Sequence, residues 1–426
     1  MNPEMFIARS SDSDILEKAD SGGAVTSILK CALETGEING VVTVKSNSGD
    51  RFSGVSVLIT NPEDLTDTAG SLHCSLPNIP RFVKEYLEGA ANMKLAIVGK
   101  PCDIRAIIEL QKRKQIDIDN VILIGLNCTG TITPATARKM YIEEFKVDPS
   151  AVIKEDIDDG MLTITLEDGN VKSMDLAKLE KKGLGRRENC RRCEFNIPTF
   201  ADLAFGKWGT EELEEAGTFV EVSSNKGQSL FRKAIDNGYI KIDTPNKTSI
   251  ELRARKDKTE LERARMWREH DFKPLLELSF PNRFKYWTSE FKKCIKCFGC
   301  RDACPICYCE TCLLEANREF LVGGEIPPNG IFPLTRLAHV ADSCIGCGQC
   351  QDACPMELPL SKLFTLLNSK LSEIFDYVPG IDVEQGPPTT IARDEELMID
   401  DTFLKISSIM KTSRVEKKEE LMTSGR

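Results

Sequence analysis

Residues 293–312 read KCIKCFGCRDACPICYCETC, and residues 343–359 read SCIGCGQCQDACPMELP. Each stretch contains Cys-x2-Cys-x2-Cys-x3-Cys-Pro: Cys294, Cys297, Cys300 and Cys304 before Pro305, then Cys344, Cys347, Cys350 and Cys354 before Pro355. Three thiolates two residues apart can wrap one face of an iron–sulfur cube. The fourth, held extended by the following proline, points away and reaches a second cube. The expected ligand sets are therefore crossed. Cys294, Cys297, Cys300 and Cys354 serve one 4Fe-4S cluster, and Cys344, Cys347, Cys350 and Cys304 the other. A structural zinc site or disulfides are the competing reading, but zinc favours pairs of cysteines over triplets closed by Cys-Pro.

The rest of the chain sets the frame. A length of 426 residues allows two or three domains, and 41% hydrophobic with 29% charged residues is a soluble globular composition. The formal charge of −10 argues against nucleic acid as a partner, because phosphate binding needs a basic footprint. The amino terminus, MNPEMFIARSSDSDILEKAD, has no apolar core of the signal-peptide kind. Runs such as LAIV and VILIGL are too short to span a bilayer. The seventeen cysteines are thus expected in a reducing cytoplasm, holding metal.

Outward from the cysteine stretch, residues 21–44 read as a Ser21-Gly22-Gly23 turn, a helix and a strand at Val41–Val44. A glycine pair before a helix is either an anion cradle or a plain turn. A second strand over 54–60 pairs with the first through a turn at 47–50. Strands at 94–98 and 121–126 each end in a cysteine-bearing turn, Lys100-Pro101-Cys102 and Asn127-Cys128, followed by a helix. That repetition predicts an α/β layer with both cysteines at one sheet edge. Residues 151–175 alternate apolar and polar, as in an antiparallel meander. Lys181, Lys182, Arg186, Arg187, Arg191 and Arg192 surround Cys190 and Cys193, either as a solvated turn or as a partner for negative charge. Cys102, Cys128, Cys190 and Cys193 are candidates for a third 4Fe-4S cluster, with a zinc site or unrelated buried thiols as alternatives. Cys31 reads as a core residue. Lys226-Gly227, near a helix start, reads either as a phosphate contact or as a solvated turn. Residues 250–269 predict a charged helix, a linker or a partner-facing surface. Cys307, Cys309 and Cys312 have no assigned role, and 313–342 reads as an inserted loop.

Ser21-Gly22-Gly23-x2-Thr26, Lys100-Pro101-Cys102, Asn127-Cys128-x-Gly130, Cys190-x2-Cys193 and Ala201-Asp202…Gly206 together resemble the coenzyme F-420 hydrogenase/dehydrogenase beta-subunit family. The resemblance spans about residues 20–240. It implies FAD, a cluster near it, and coenzyme F-420 as substrate. Carried over by position, Ser21, Gly22, Gly23, Thr26, Gly70, Ser71, Lys226 and Gly227 become flavin contacts, with no side-chain catalyst beyond the flavin. The chain departs at Leu72-His73, where relatives often place Lys-Tyr. Two clusters after the flavin region imply an electron-transfer subunit whose partner oxidises formate on a molybdenum or tungsten pterin. A hydrogenase, a heterodisulfide reductase or a glutamate synthase complex is the alternative setting. A flavin-free electron carrier is a further one. The expected architecture is an α/β flavin domain with an antiparallel meander (1–245), a charged helical linker (246–290), an α+β two-cluster ferredoxin-like domain (291–380) and a tail (381–426).

Overall fold

The strands form because their apolar residues alternate between two covered faces. In the computed structural model, which describes residues 3–47, 50–309, 312, 314 and 331–390, eleven strands are β1 (Glu4–Ser10), β2 (Gly40–Asn47), β3 (Asp50–Ile59), β4 (Leu95–Gly99), β5 (Val121–Leu126), β6 (Val152–Asp158), β7 (Met161–Leu166), β8 (Val171–Asp175), β9 (Leu203–Gly206), β10 (Thr218–Val222) and β11 (Ile240–Asp243). Eight make one sheet in the order β11-β1-β10-β9-β5-β4-β2-β3. Its centre, β9-β5-β4-β2, is parallel, and the outer pairs are antiparallel. β4 is buried along its whole length, as expected of a parallel strand covered on both sides.

Ala96 and Val98 face the core beneath helices α1 (Ala24–Glu34) and α3 (Asn225–Asp236). Leu95 and Ile97 face the core beneath α2 (Pro101–Lys112). The predicted hairpin is β2–β3, with Val41 opposite Ile59; its turn residues 48 and 49 lie outside the described residues. The predicted meander is the three-stranded sheet β6-β7-β8, whose inner face packs on Met140, Tyr141 and Phe145. Strands β1, β9 and β11 have no counterpart in the sequence reading.

Three expectations change. The charged helix is α4 (Lys247–Leu276), thirty residues long, and its charges are not simply solvated. Arg253 pairs with Glu221 at 2.7 Å, and Lys256 with Asp158 at 2.8 Å and Glu211 at 2.7 Å. Both cations are buried. Within the stretch read as an inserted loop, residues 331–340 form helix α5 (Ile331–Val340), while 315–330 lie outside the described residues. The described part of 291–380 holds turns and helices, including α6 (Leu360–Phe375), and no strand, so the α+β description does not fit it. The described residues up to 385 form one compact unit. Among the described residues no helix is long and apolar enough to cross a membrane.

Candidate functional site

The carboxyl ends of β4, β5 and β9 open onto a cavity of about 350 Å³, within the size range of ligand pockets. This is where open α/β sheets bind ligands, because the loops there are free of the sheet's own hydrogen bonds. Ser21, Gly23, Thr26, Gly70 and Ser71 line it, together with Lys100, Asn127, Cys128, Gly130, Gly206 and Lys207. Gly22 stands behind this wall. A Cβ there would sit 2.5 Å from Ala8 O and 2.7 Å from Thr218 N, so only glycine lets the backbone pass. Gly23, at φ +69°, caps α1, and Ser21 Oγ lies 2.9 Å from Thr218 Oγ1. The free amides at the start of α1 suit an anionic group.

Lys226 and Gly227 are placed elsewhere. Lys226 Nζ donates to Ile118 O at 2.6 Å and Val121 O at 3.3 Å, capping the start of β5 at the opposite end of the strand from the cavity. A Cβ on Gly227 would meet Asp202 O at 2.2 Å, which accounts for that glycine by packing. The sequence reading missed Asp20, His73, Lys154 and Lys207, which also line the cavity. Lys154 holds Asp20 at 3.0 Å. Burial alone would raise the Asp20 carboxyl, but the bond from Ser71 and the Lys154 charge together bring it below its usual range. Burial pushes the His73 imidazole down, against the pull of Glu155, Asp20 and Asp156.

Cys102 enters the first turn of α2 and Cys128 follows β5, so the repeated strand–turn–helix pattern does bring them to one sheet end. Cys190 lies in a short helix, Glu188–Arg191, and Cys193 in the turn after it. The backbone N–H of Gly130 donates to Cys128 Sγ at 3.4 Å and that of Thr131 to Cys190 Sγ at 3.4 Å. Arg187 adds a guanidinium N–H to Cys190 Sγ at 3.8 Å. Burial, reinforced by Cys190, pushes the Cys128 thiol up to about 12, with Lys100 opposing. Burial likewise raises Cys102 well above the usual thiol range, with the Asp103, Cys128 and Cys193 charges adding to it. Thiols crowded like this ionise together only if a cation joins them, and donors already aimed at sulfur suit thiolate. The donor set therefore fits a cluster.

Seven of the eight cysteines of the repeated motif pack with Cys102 around Ile306, Ile345 and Leu360; the eighth, Cys297, is exposed. Cys294 and Cys300 each feel Cys354 and Cys297, whereas Cys344, Cys347 and Cys350 each feel Cys304. That is the neighbourhood the crossed sets require. Burial lifts Cys300 and Cys344 to about 11 each. Cys297 is exposed and Cys344 is not, so the two sets differ in solvent access. Among the described residues, no three His, Cys, Asp or Glu side chains converge where a single metal ion would sit. Cys31 is a residue of α1 buried in the core. Cys307 lies beside Cys304 and Arg336, and Cys309 is exposed.

The basic segment joins the two regions. Arg187 Nε donates to Asp352 at 2.7 Å and Nη2 to Cys347 O at 2.8 Å. Asn189 Nδ2 donates to Gly346 O at 2.7 Å. Arg192 pairs with Asp271 of α4 and donates to Ser361 Oγ of α6 at 3.0 Å. Arg186 is held by Glu180 at 2.6 Å and by Glu260 of α4 at 3.2 Å. Lys182 stays at the surface, paired with Glu144 at 2.6 Å. From Arg186 onward the segment is thus largely buried structure rather than a solvated turn.

Comparison with known proteins agrees with this geometry. Residues 5–81 match the family model "Coenzyme F-420 hydrogenase/dehydrogenase, beta subunit N-term", and 92–248 match its counterpart for the carboxyl terminus of the same beta subunit. Residues 335–356 match a 4Fe-4S binding domain. The chain belongs to the coenzyme F-420 hydrogenase/dehydrogenase beta-subunit family. It is 44% identical over 391 residues to the F-420-dependent formate dehydrogenase 1 subunit beta of Methanococcus maripaludis, covering 91% of this chain and 98% of that protein. It is 42% identical to the F-420-dependent formate dehydrogenase subunit beta of Methanocaldococcus jannaschii, over 91% of this chain and 99% of that one. A chain of the F-420-reducing [NiFe] hydrogenase complex from Methanosarcina barkeri has the same fold over 63% of this chain and 91% of its own. The TM-score is 0.55 and the identity 20%.

Proposed function

We propose that this chain is the electron-transfer beta subunit of an F-420-dependent formate dehydrogenase, a cytoplasmic oxidoreductase subunit that couples 4Fe-4S clusters to coenzyme F-420 through FAD. The observation that carries the reading is Cys102. It sits in the first turn of α2, just past the carboxyl end of β4, between the cavity residues Lys100 and Asp103, and it packs with the cysteines of the repeated motif. One residue thus joins the ligand cavity to the iron–sulfur region. Near-full-length similarity to two formate dehydrogenase beta subunits supports the same assignment.

A bound flavin exchanges single electrons with clusters and hydride with a deazaflavin, which is the chemistry the cavity would need. The chain's residues would divide the work as follows. Ser21, Gly23, Thr26, Gly70 and Ser71 hold the flavin, with Gly22 giving the backbone room. Cys102, Cys128, Cys190 and Cys193 hold the cluster next to it. The crossed sets of the repeated motif hold two more and lead towards the exposed Cys297, where a catalytic subunit with a pterin-bound molybdenum or tungsten delivers electrons from formate. The purified chain, loaded anaerobically with iron, sulfide and FAD, should pass electrons between a viologen dye and coenzyme F-420. About twelve irons and one flavin per chain are expected. Eight irons without flavin, and no exchange with F-420, would sink the proposal in favour of a simple carrier.

A further inference from the structure

Arg105 lies one turn after Cys102 on α2 and is 4% exposed. Its Nε donates to Pro379 O at 2.8 Å and its Nη1 to Ile345 O at 3.0 Å, while the guanidinium stacks 3.8 Å over the Phe195 ring. Ile345 follows Cys344, and Phe195 O accepts from the Cys193 thiol at 3.6 Å. The side chain is therefore wedged between one cysteine set, 102/128/190/193, and the next, 304/344/347/350.

A buried cation needs an anion. Of the other buried arginines of this region, Arg186 has Glu180 and Glu260, Arg187 has Asp352, and Arg192 has Asp271, whereas Arg336 faces the thiols of Cys304, Cys307 and Cys300 rather than the 102/128/190/193 set. Among the described residues Arg105 makes no such ion pair, and both of its hydrogen bonds go to neutral carbonyls. The carboxylate one turn further along α2, Glu109, is already held by Lys112 at 2.9 Å and Arg113 at 3.2 Å. The thiols that face Arg105 are Cys193, Cys102 and Cys344, so both sets are represented.

We propose that Arg105 is the shared counter-charge of the two adjoining clusters, a positioning residue that raises the reduction potential of both and keeps them in step. This rests on the cluster assignment proposed above. When one electron moves between these clusters, one is oxidised and the other reduced, and no proton or bond changes hands. A fixed positive charge between them stabilises the reduced form of each by a similar amount. Both potentials therefore rise together, and the difference between them is left as it was.

The test is a dye-mediated potentiometric titration of the anaerobic, cluster-loaded full chain, followed by electron paramagnetic resonance. Arg105→Gln should move two of the three cluster transitions to lower potential. The third, identified with a Cys297→Ser variant, should stay. Arg105→Met preserves the packing over Phe195 and serves if the glutamine variant loses iron; it should show the same shifts. Arg105→Lys should restore most of the wild-type values. Two unmoved transitions in a neutral variant, or three that move together, would overturn the proposal. A wild-type chain with about eight irons and two transitions would instead remove the assignment beneath it, because the Cys102 set would then hold no cluster.

Discussion

Glu109 offers the sharpest test of how the cavity region and the cysteine-rich region are held together. It is fully buried on α2, and four donors converge on it. Oε1 accepts from Lys112 Nζ at 2.9 Å, Tyr377 OH at 2.6 Å and Gly380 N at 2.7 Å, and Oε2 accepts from Arg113 at 3.2 Å. Lys112 and Arg113 side chains are themselves only 2% and 6% exposed. Glu109→Gln keeps the shape but removes the charge and aims an amide N–H at existing donors. Removing one partner of a buried pair costs about 3–5 kcal/mol. Tyr377→Phe removes the bond donated to a charged acceptor, worth about 1.5–3 kcal/mol, together with the bond that the hydroxyl accepts from Lys112 Nζ at 3.0 Å. Because Tyr377 acts through the Glu109 carboxylate, the double variant should lose little more than Glu109→Gln alone. Urea unfolding of the anaerobic holoprotein, in a double-mutant cycle, measures all three. A Glu109→Gln loss below about 1 kcal/mol, or strictly additive losses, would refute the argument that this carboxylate ties α2 to the 377–380 segment.

Other predictions read the site more directly. Gly22→Ala drives a methyl into the backbone of β1 and β10, so it should cost about 1–3 kcal/mol in urea and lower the flavin-to-protein ratio. Lys226→Ala should leave that ratio unchanged, because its ammonium caps β5 rather than the cavity; a flavin-depleted variant would show the placement to be misleading. His73 titrates below its ordinary value of 6.5 in the folded chain because of burial, so the unfolded chain takes up a proton first as pH falls. Its contribution to stability is complete above pH 6.5 and shrinks as pH drops towards the folded value. His339 is shifted in the same direction, so His73→Gln should flatten the fall in melting temperature below pH 6.5 without abolishing it. An unchanged slope would mean that His73 binds its proton as readily in the fold as in the unfolded chain.

The sequence alone determined the elements whose signal is local. The Cys-x2-Cys-x2-Cys-x3-Cys-Pro spacing fixes which thiols lie together over a few residues, and the apolar runs of β4 and β5 fix two central strands. The cysteine turns after them follow from the same pattern. Tertiary structure decided what depends on distant charges and on backbone closeness. Helix α4 reads as a solvated linker because nothing local shows that Glu221, Asp158 and Arg186 will meet Arg253, Lys256 and Glu260. Lys226-Gly227 looks like a phosphate contact because a lysine beside a glycine at a helix start has that chemistry, yet its helix begins at the wrong end of the sheet. Arg105 carried no spacing signal at all, and His73 showed only as part of a departure from the family's pattern. Their roles come from burial, which sets how strongly a charge is felt, and burial is a property of the folded chain.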